Sequence, residues 1–265
     1  MLLREVEYAR PASVEEAVRF LSEHDGARVL AGGQTLINVM KARVASPDLL
    51  VDLNGLDELK SIDLAADGTL SLGSMVTYSE LIASAEARAR PILGEVCAQI
   101  GDVQVRNRGT VGGNVCSNDP TNHLPPLMVA LGATMHITGP NGDRTVPAEE
   151  FFLGVYMTAA GPGELLTKIT VPPGKSDGFA SVTIGKDGTC IVNAAASVNG
   201  GIRVAIGCVE AVPMLLKADS ADAVRAAVQN ANFDPPSDVH ASADYRRHLA
   251  GVVAARATAQ AQGKS

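Results

Sequence analysis

The sequence predicts an α+β chain in two unequal parts, and three observations carry that prediction. A strand, a glycine turn, a helix and a strand follow one another within the first 55 residues. From Met135 onward the pattern becomes one of alternating strands, and a Pro172-Pro173-Gly174 cluster separates these from a further set of strands closed by two helices. At 265 residues the chain is long enough for each part to bury its own core, and 46% hydrophobic with 19% charged residues is the composition of a folded protein.

Ser13 and Glu16 form a capping box, and Val14, Ala17, Val18 and Leu21 share one helical face, so the first helix spans about 14–24. A short strand at 28–31 leads through a glycine turn to a helix at 36–42 and a continuously apolar strand at 49–53. A second αβ unit opens with a strand at 69–75, after which Thr77 and Glu80 repeat the capping signal ahead of Leu81 and Ile82. Helices follow at 92–100 and 124–131. The stretch between them, 101–123, is rich in Gly, Asn, Asp and Arg and lacks periodicity; a polar segment of that length inside a compact domain is usually functional. With few apolar anchors, it is expected to take its order from a ligand. Asn141-Gly142 marks a hairpin turn, and a strand at 164–171 ends in the Pro-Pro-Gly cluster. The predicted division is therefore 1–173, in two αβ halves of about 1–55 and 56–173, and 174–265. In the smaller part, segments at 179–184 and 191–198, a turn at Asn199-Gly200-Gly201 and a strand at 202–208 give a small antiparallel sheet, with helices at 221–229 and 243–258 as its cover.

A net charge of −7, four Tyr, five Phe and no Trp leave neither a basic footprint nor an aromatic platform, which argues against a nucleic-acid ligand. The segment Met1-Leu2-Leu3-Arg4-Glu5-Val6-Glu7 turns polar too soon for a secretory signal, and no apolar run reaches the roughly 18 residues of a membrane helix, so a cytoplasmic protein is expected. Cys97, Cys116, Cys190 and Cys208 contain no C-x-x-C pair and read as packed, reduced thiols rather than a zinc or iron-sulfur site. His24, His136, His240 and His248 show no metal-ligand spacing, and no Ser-His-Asp or paired-carboxylate arrangement can be argued from residue order, so no catalytic or metal-binding residue is assigned.

Two glycine loops carry the chemistry. Ala31-Gly32-Gly33-Gln34-Thr35-Leu36 lies where a strand ends and a helix begins, a place where glycines let backbone N–H groups approach a phosphate. Thr110-Val111-Gly112-Gly113-Asn114 sits in the polar segment and runs on to Asp119-Pro120-Thr121-Asn122-His123; a hydroxyl, a crowded backbone and an amide again suit phosphate and ribose groups. Composition alone leaves the alternative open that both are tight structural turns. Arg106 and Arg108 could meet phosphate or a partner, or stand as solvated loop arginines.

Taken together, AGGQTLINVMKAR, VQVRNRGTVGGN, DPTNHLPPLMVALGA, FFLGVYMT and GELLTKITVP, in this order and over nearly the whole chain, resemble the flavoprotein (medium) subunit of the carbon monoxide dehydrogenase and xanthine oxidase family of molybdenum hydroxylases. The resemblance implies an α+β fold in which a two-part FAD-binding domain of the molybdopterin dehydrogenase flavoprotein type precedes a small C-terminal α+β domain. It implies that Ala31, Gly32, Gly33, Gln34, Thr35 and Leu36 wrap the FAD pyrophosphate and that Thr110, Gly112, Gly113 and Asn114 supply a second binding loop. Ile100 and Leu166 stand where the family sets apolar residues against the flavin, with plain core packing as the alternative. The chain departs from the family at His123, where relatives commonly carry Asp and where Asp119 could substitute, and at Thr183 and Cys190, where relatives often have Lys and Asp. Also implied are a small partner subunit with 2Fe-2S clusters, a large partner subunit with molybdenum cofactor, a dimer of heterotrimers, and an external electron acceptor. The competing readings are a self-sufficient FAD-dependent oxidase and a nucleotide-binding module that does not turn over.

Overall fold

A three-stranded parallel sheet organises the N-terminal residues. In a computed structural model, which describes residues 3–174, 176–185 and 188–264, strand Leu49–Asp52 lies between Glu7–Ala9 and Ala27–Leu30. Helix Val14–Glu23 packs Val14, Ala17 and Val18 toward it. Ser13 caps this helix by accepting from Glu16 N–H, but the Glu16 carboxylate reaches back to Ala12 N–H rather than Ser13, so the box is displaced by one residue. The edge strand Glu7–Ala9 is not foreseen by the sequence, because three largely exposed residues show no alternation to read.

The second sheet is antiparallel, in the order Ile62–Leu64, Leu70–Gly73, Leu165–Val171, Thr134–Gly139, Gly142–Pro147. Thr77 and Glu80 complete their capping box at helix Tyr78–Ala83, and helix Ile92–Cys97 ends three residues earlier than the apolar spacing suggests. The segment 101–123, poor in periodicity, holds two short helices, Val103–Arg108 and Val111–Ser117. Asp102 caps the first by accepting from Val105 N–H at 2.8 Å, and Thr110 caps the second from Gly113 N–H at 3.1 Å. Their brevity and lack of an apolar stripe conceal them from periodicity, and local caps mark where each begins.

Strands Asp177–Thr183, Cys190–Val198, Ile202–Gly207 and Met214–Ala218 form the antiparallel third sheet, and helices Ala221–Asn230 and Ala243–Ala261 cover one face of it. Its other face packs on helix Leu124–Leu131, every residue of which is buried, as expected of a helix enclosed on all sides. Arg90, Asp177 and Ser197 form a buried polar tie at this seam. The α+β class is thus the observed one. No described helix is long and apolar enough to cross a membrane.

Candidate functional site

Strand Ala27–Leu30 delivers the chain into the first glycine loop, which ends at helix Leu36–Lys41. The backbone N–H groups of Gly32, Gly33, Gln34 and Thr35 donate to no other group of the described chain. Four successive unpaired donors form the kind of concavity that binds an oxyanion. Gly33 occupies the left-handed region at φ +73°, which a side chain would strain. Gly32 serves a different purpose: a Cβ there would lie 2.0 Å from the Arg108 carbonyl oxygen, so its missing side chain lets the second loop seat against the first.

Beneath the first loop lies a support that the sequence reading missed. Asn54 Nδ2 donates to Ala31 O at 3.1 Å and to Asp52 Oδ1, while Tyr8 OH donates to Asp52 Oδ2 at 2.5 Å. Burial pulls the Asp52 carboxyl up, but hydrogen bonds from Tyr8 and from the side chain and backbone of Asn54 outweigh it and hold the group below its ordinary value. An Asp ending an apolar strand, two residues before Asn, is the only sequence signal for this network.

In the second loop, Val111 N–H donates to Val76 O and Gly112 N–H to Ser74 O, both at 2.9 Å. A Cβ on Gly112 would fall within 2.5 Å of the Ser74 side chain, so this glycine too is required by packing. A Cβ on Gly113 would meet Thr110 Oγ1 at 2.8 Å and point to within 3.6 Å of the Ala31 side chain, across the gap between the loops. Asn114 is buried with Oδ1 unpartnered, and Ser74 Oγ is likewise buried without a partner. Buried polar atoms of this kind ordinarily find a partner. The exposed Arg108 side chain makes no ion pair among the described residues.

The remaining candidates divide. Leu166 is buried within the main core and Ile100 packs partly buried against that core. Arg106 closes its own turn by donating to the carbonyls of Ile100 and Gly101. Asp119 is engaged by the chain itself, accepting from Thr121 N–H and hydroxyl and from Tyr156 OH at 3.0 Å. His123 is buried against Phe179, ring centroids 5.2 Å apart, and its Nδ1 accepts from Asn193 Nδ2 at 3.3 Å. His136 meets Thr170 Oγ1, while His24, His240 and His248 are exposed. Among the described residues no group of three or more His, Cys, Asp or Glu is placed to hold a metal ion.

The donor set fits a diphosphate-bearing dinucleotide: main-chain N–H groups for the anionic oxygens, with a buried amide oxygen and hydroxyl for neutral polar groups. Residues 4–174 match the family model described as FAD binding domain in molybdopterin dehydrogenase. The chain is 36% identical to the carbon monoxide dehydrogenase medium chain of Afipia carboxidovorans over 98% of its own length and 97% of the relative's. It is 34% identical to the glyceraldehyde dehydrogenase medium chain of Sulfolobus acidocaldarius, over 96% of this chain and 97% of that one. Its fold superposes on a chain of carbon monoxide dehydrogenase from Hydrogenophaga pseudoflava, in a form lacking the Mo-pyranopterin moiety, with a TM-score of 0.93, 35% identity, and coverage of 100% and 99% of the two chains.

Proposed function

The chain belongs to the family of FAD-binding domains of molybdopterin dehydrogenases, and on that premise we propose that it is the electron-relay subunit of a multi-subunit molybdenum hydroxylase, loaded from 2Fe-2S clusters on a partner and discharged to an external acceptor. The observation that carries the cofactor site is the row of four unpaired backbone donors at 32–35, against which the Gly113 loop is packed.

Residues 1–173 form the cofactor-binding part, in halves of about 1–55 and 56–173, with 174–265 as a C-terminal flavoprotein domain. The N–H groups of Gly32, Gly33, Gln34 and Thr35 hold the pyrophosphate, with Ala31 and Leu36 closing the ends of that loop. Thr110 fixes Gly112, Gly113 and Asn114 in the second loop, and Asn114 Oδ1 accepts from the ligand. Leu166 and Ile100 line the apolar side, and His123 and Asp119 shape the far wall through Asn193 and Tyr156. When bound, FAD supplies a centre that exchanges electrons singly or in pairs. The chain's contribution is to bind and orient it and to dock a small iron-sulfur subunit and a large molybdenum-cofactor subunit, in a dimer of heterotrimers.

Acid extraction of the purified protein should release FAD. The isolated, FAD-loaded chain should leave substrates of the complex untouched, whereas adding the partner subunits should allow substrate to bleach the flavin absorbance. A metal-free isolated chain that turned over such a substrate as fast as the complex would replace the relay with a self-sufficient oxidase; a colourless protein with no extractable flavin would leave only a nucleotide-binding module.

A further inference from the structure

The sulfurs of two of the four cysteines lie within reach of one buried amide, that of Asn193. Cys190 is the first residue of its strand and Cys208 follows directly after the neighbouring antiparallel strand, in which Gly207 lies opposite Asn193. Fully buried Asn193 directs Nδ2 at both sulfurs, 3.4 Å from Cys190 Sγ and 3.7 Å from Cys208 Sγ, as well as at His123 Nδ1. The Cys190 thiol itself donates to Val182 O at 3.7 Å. Cys208 holds a left-handed backbone, φ +67°, that is uncommon for a residue with a side chain and clusters at functional positions.

We propose that Cys190 and Cys208 form a peroxide-responsive dithiol, in which Cys190 is the attacking thiol and Cys208 the resolving one. Cys190 sulfur attacks one oxygen of hydrogen peroxide, the O–O bond breaks, and water leaves with a sulfenic acid on Cys190. Cys208 sulfur then displaces that hydroxyl as a second water, giving one disulfide; the two thiols lose two electrons and two protons, and the peroxide is reduced to two waters. The surroundings divide the labour. The neighbouring Cys208 thiol, with help from His123 and Asn193, holds the Cys190 thiol below its ordinary value against the opposing effect of burial, whereas the same contact and burial push Cys208 up. Burial alone pushes Cys97 and Cys116 up to about 12, leaving them inert. Both reacting sulfurs belong to buried residues, which restricts the oxidant to a small neutral molecule. The disulfide ties the start of one strand to the end of the next and draws the sulfurs from Asn193, which also contacts Asn122 and His123 at the head of helix Leu124–Leu131. This dithiol does not depend on the relay function.

The test treats the protein as purified with hydrogen peroxide, then denatures it, alkylates the remaining thiols and maps the peptides by mass spectrometry. Expected are a linked Cys190–Cys208 peptide pair, reversed by a phosphine, and loss of the Cys190 thiol at least about tenfold faster than that of Cys97. In Cys208→Ser, Cys190 should stop at a sulfenic acid that a 1,3-diketone traps; in Cys190→Ser, Cys208 should stay alkylatable. Retention of both thiols in the unsubstituted protein, loss of Cys97 and Cys116 at the same rate, or absence of the trapped adduct in Cys208→Ser would each overturn the proposal.

Discussion

Replacing Arg90 with Met removes the centre of the polar tie between the third sheet and the rest of the molecule. The Arg90 and Asp177 side chains are 3% and 4% exposed, with Nε–Oδ2 at 2.6 Å and Nη2–Oδ1 at 2.9 Å. The same guanidinium donates to Ser197 Oγ at 3.1 Å and to the Pro172 carbonyl. Removing one partner leaves an uncompensated buried carboxylate and two further acceptors without their donor, a loss expected to cost about 3–5 kcal/mol. Substituting both charges, Arg90→Met with Asp177→Leu, removes the stranded charge as well. The double variant should therefore recover at least about 2 kcal/mol of the single variant's loss. Urea unfolding followed by far-ultraviolet circular dichroism measures both quantities. A single variant within about 1 kcal/mol of the parent, or a double variant no more stable than the single, would show that the tie is not the buried, mutually dependent pair described.

Gly33→Ala should cost on the order of 1 kcal/mol for its left-handed backbone and lower the flavin-to-protein absorbance ratio of the purified protein; an unchanged ratio would remove Gly33 from the site. Thr110→Val keeps the shape but loses the acceptor for Gly113 N–H, and should cost about 1 kcal/mol in urea unfolding and weaken FAD retention. Asp238 is held down to about 2, from an ordinary 3.8, by backbone N–H groups of His240 and Ala241 and then by Arg246. Because the charged form is the one favoured by the fold, its stabilisation is complete above 3.8 and is lost as pH falls through about 2. In Asp238→Asn, the fall in stability between those pH values should be shallower than in the parent.

The sequence was most legible where one local rule decided the outcome. Helix Leu124–Leu131 has the predicted limits because its apolar run meets Gly132 in a left-handed cap. Asn141-Gly142 makes the expected hairpin, and Thr77 with Glu80 makes the expected box. Legibility failed where an element owed its existence to a distant partner. Strands Ile62–Leu64 and Met214–Ala218 are edge strands defined by a neighbour's hydrogen bonds, not by strong patterns of their own. Arg90 and Asp177 stand 87 positions apart, and nothing near either residue announces the other. The contact of Asp119 with Tyr156 was equally hidden, because Tyr156 comes from a hairpin 37 positions later. In the glycine loops, residue type was legible but residue purpose was not.

That last distinction bears on how the site works. Glycine in a motif is commonly credited to the ligand's need for close approach, yet two of the four loop glycines here are already accounted for by protein. Gly32 admits the Arg108–Gly109 backbone, and Gly112 admits Ser74. Gly32 thus seats the second loop on the first, and Gly112 seats the second loop on the backbone at Ser74. Gly33 and Gly113 meet no backbone at a forbidding distance: the former is required for its φ, and the latter faces Ala31 and its own cap hydroxyl. One glycine of each pair is therefore required by packing against backbone, and the other is left facing the gap between the loops or its own turn. Backbone donors fixed in this way need little reorganisation when an anion arrives.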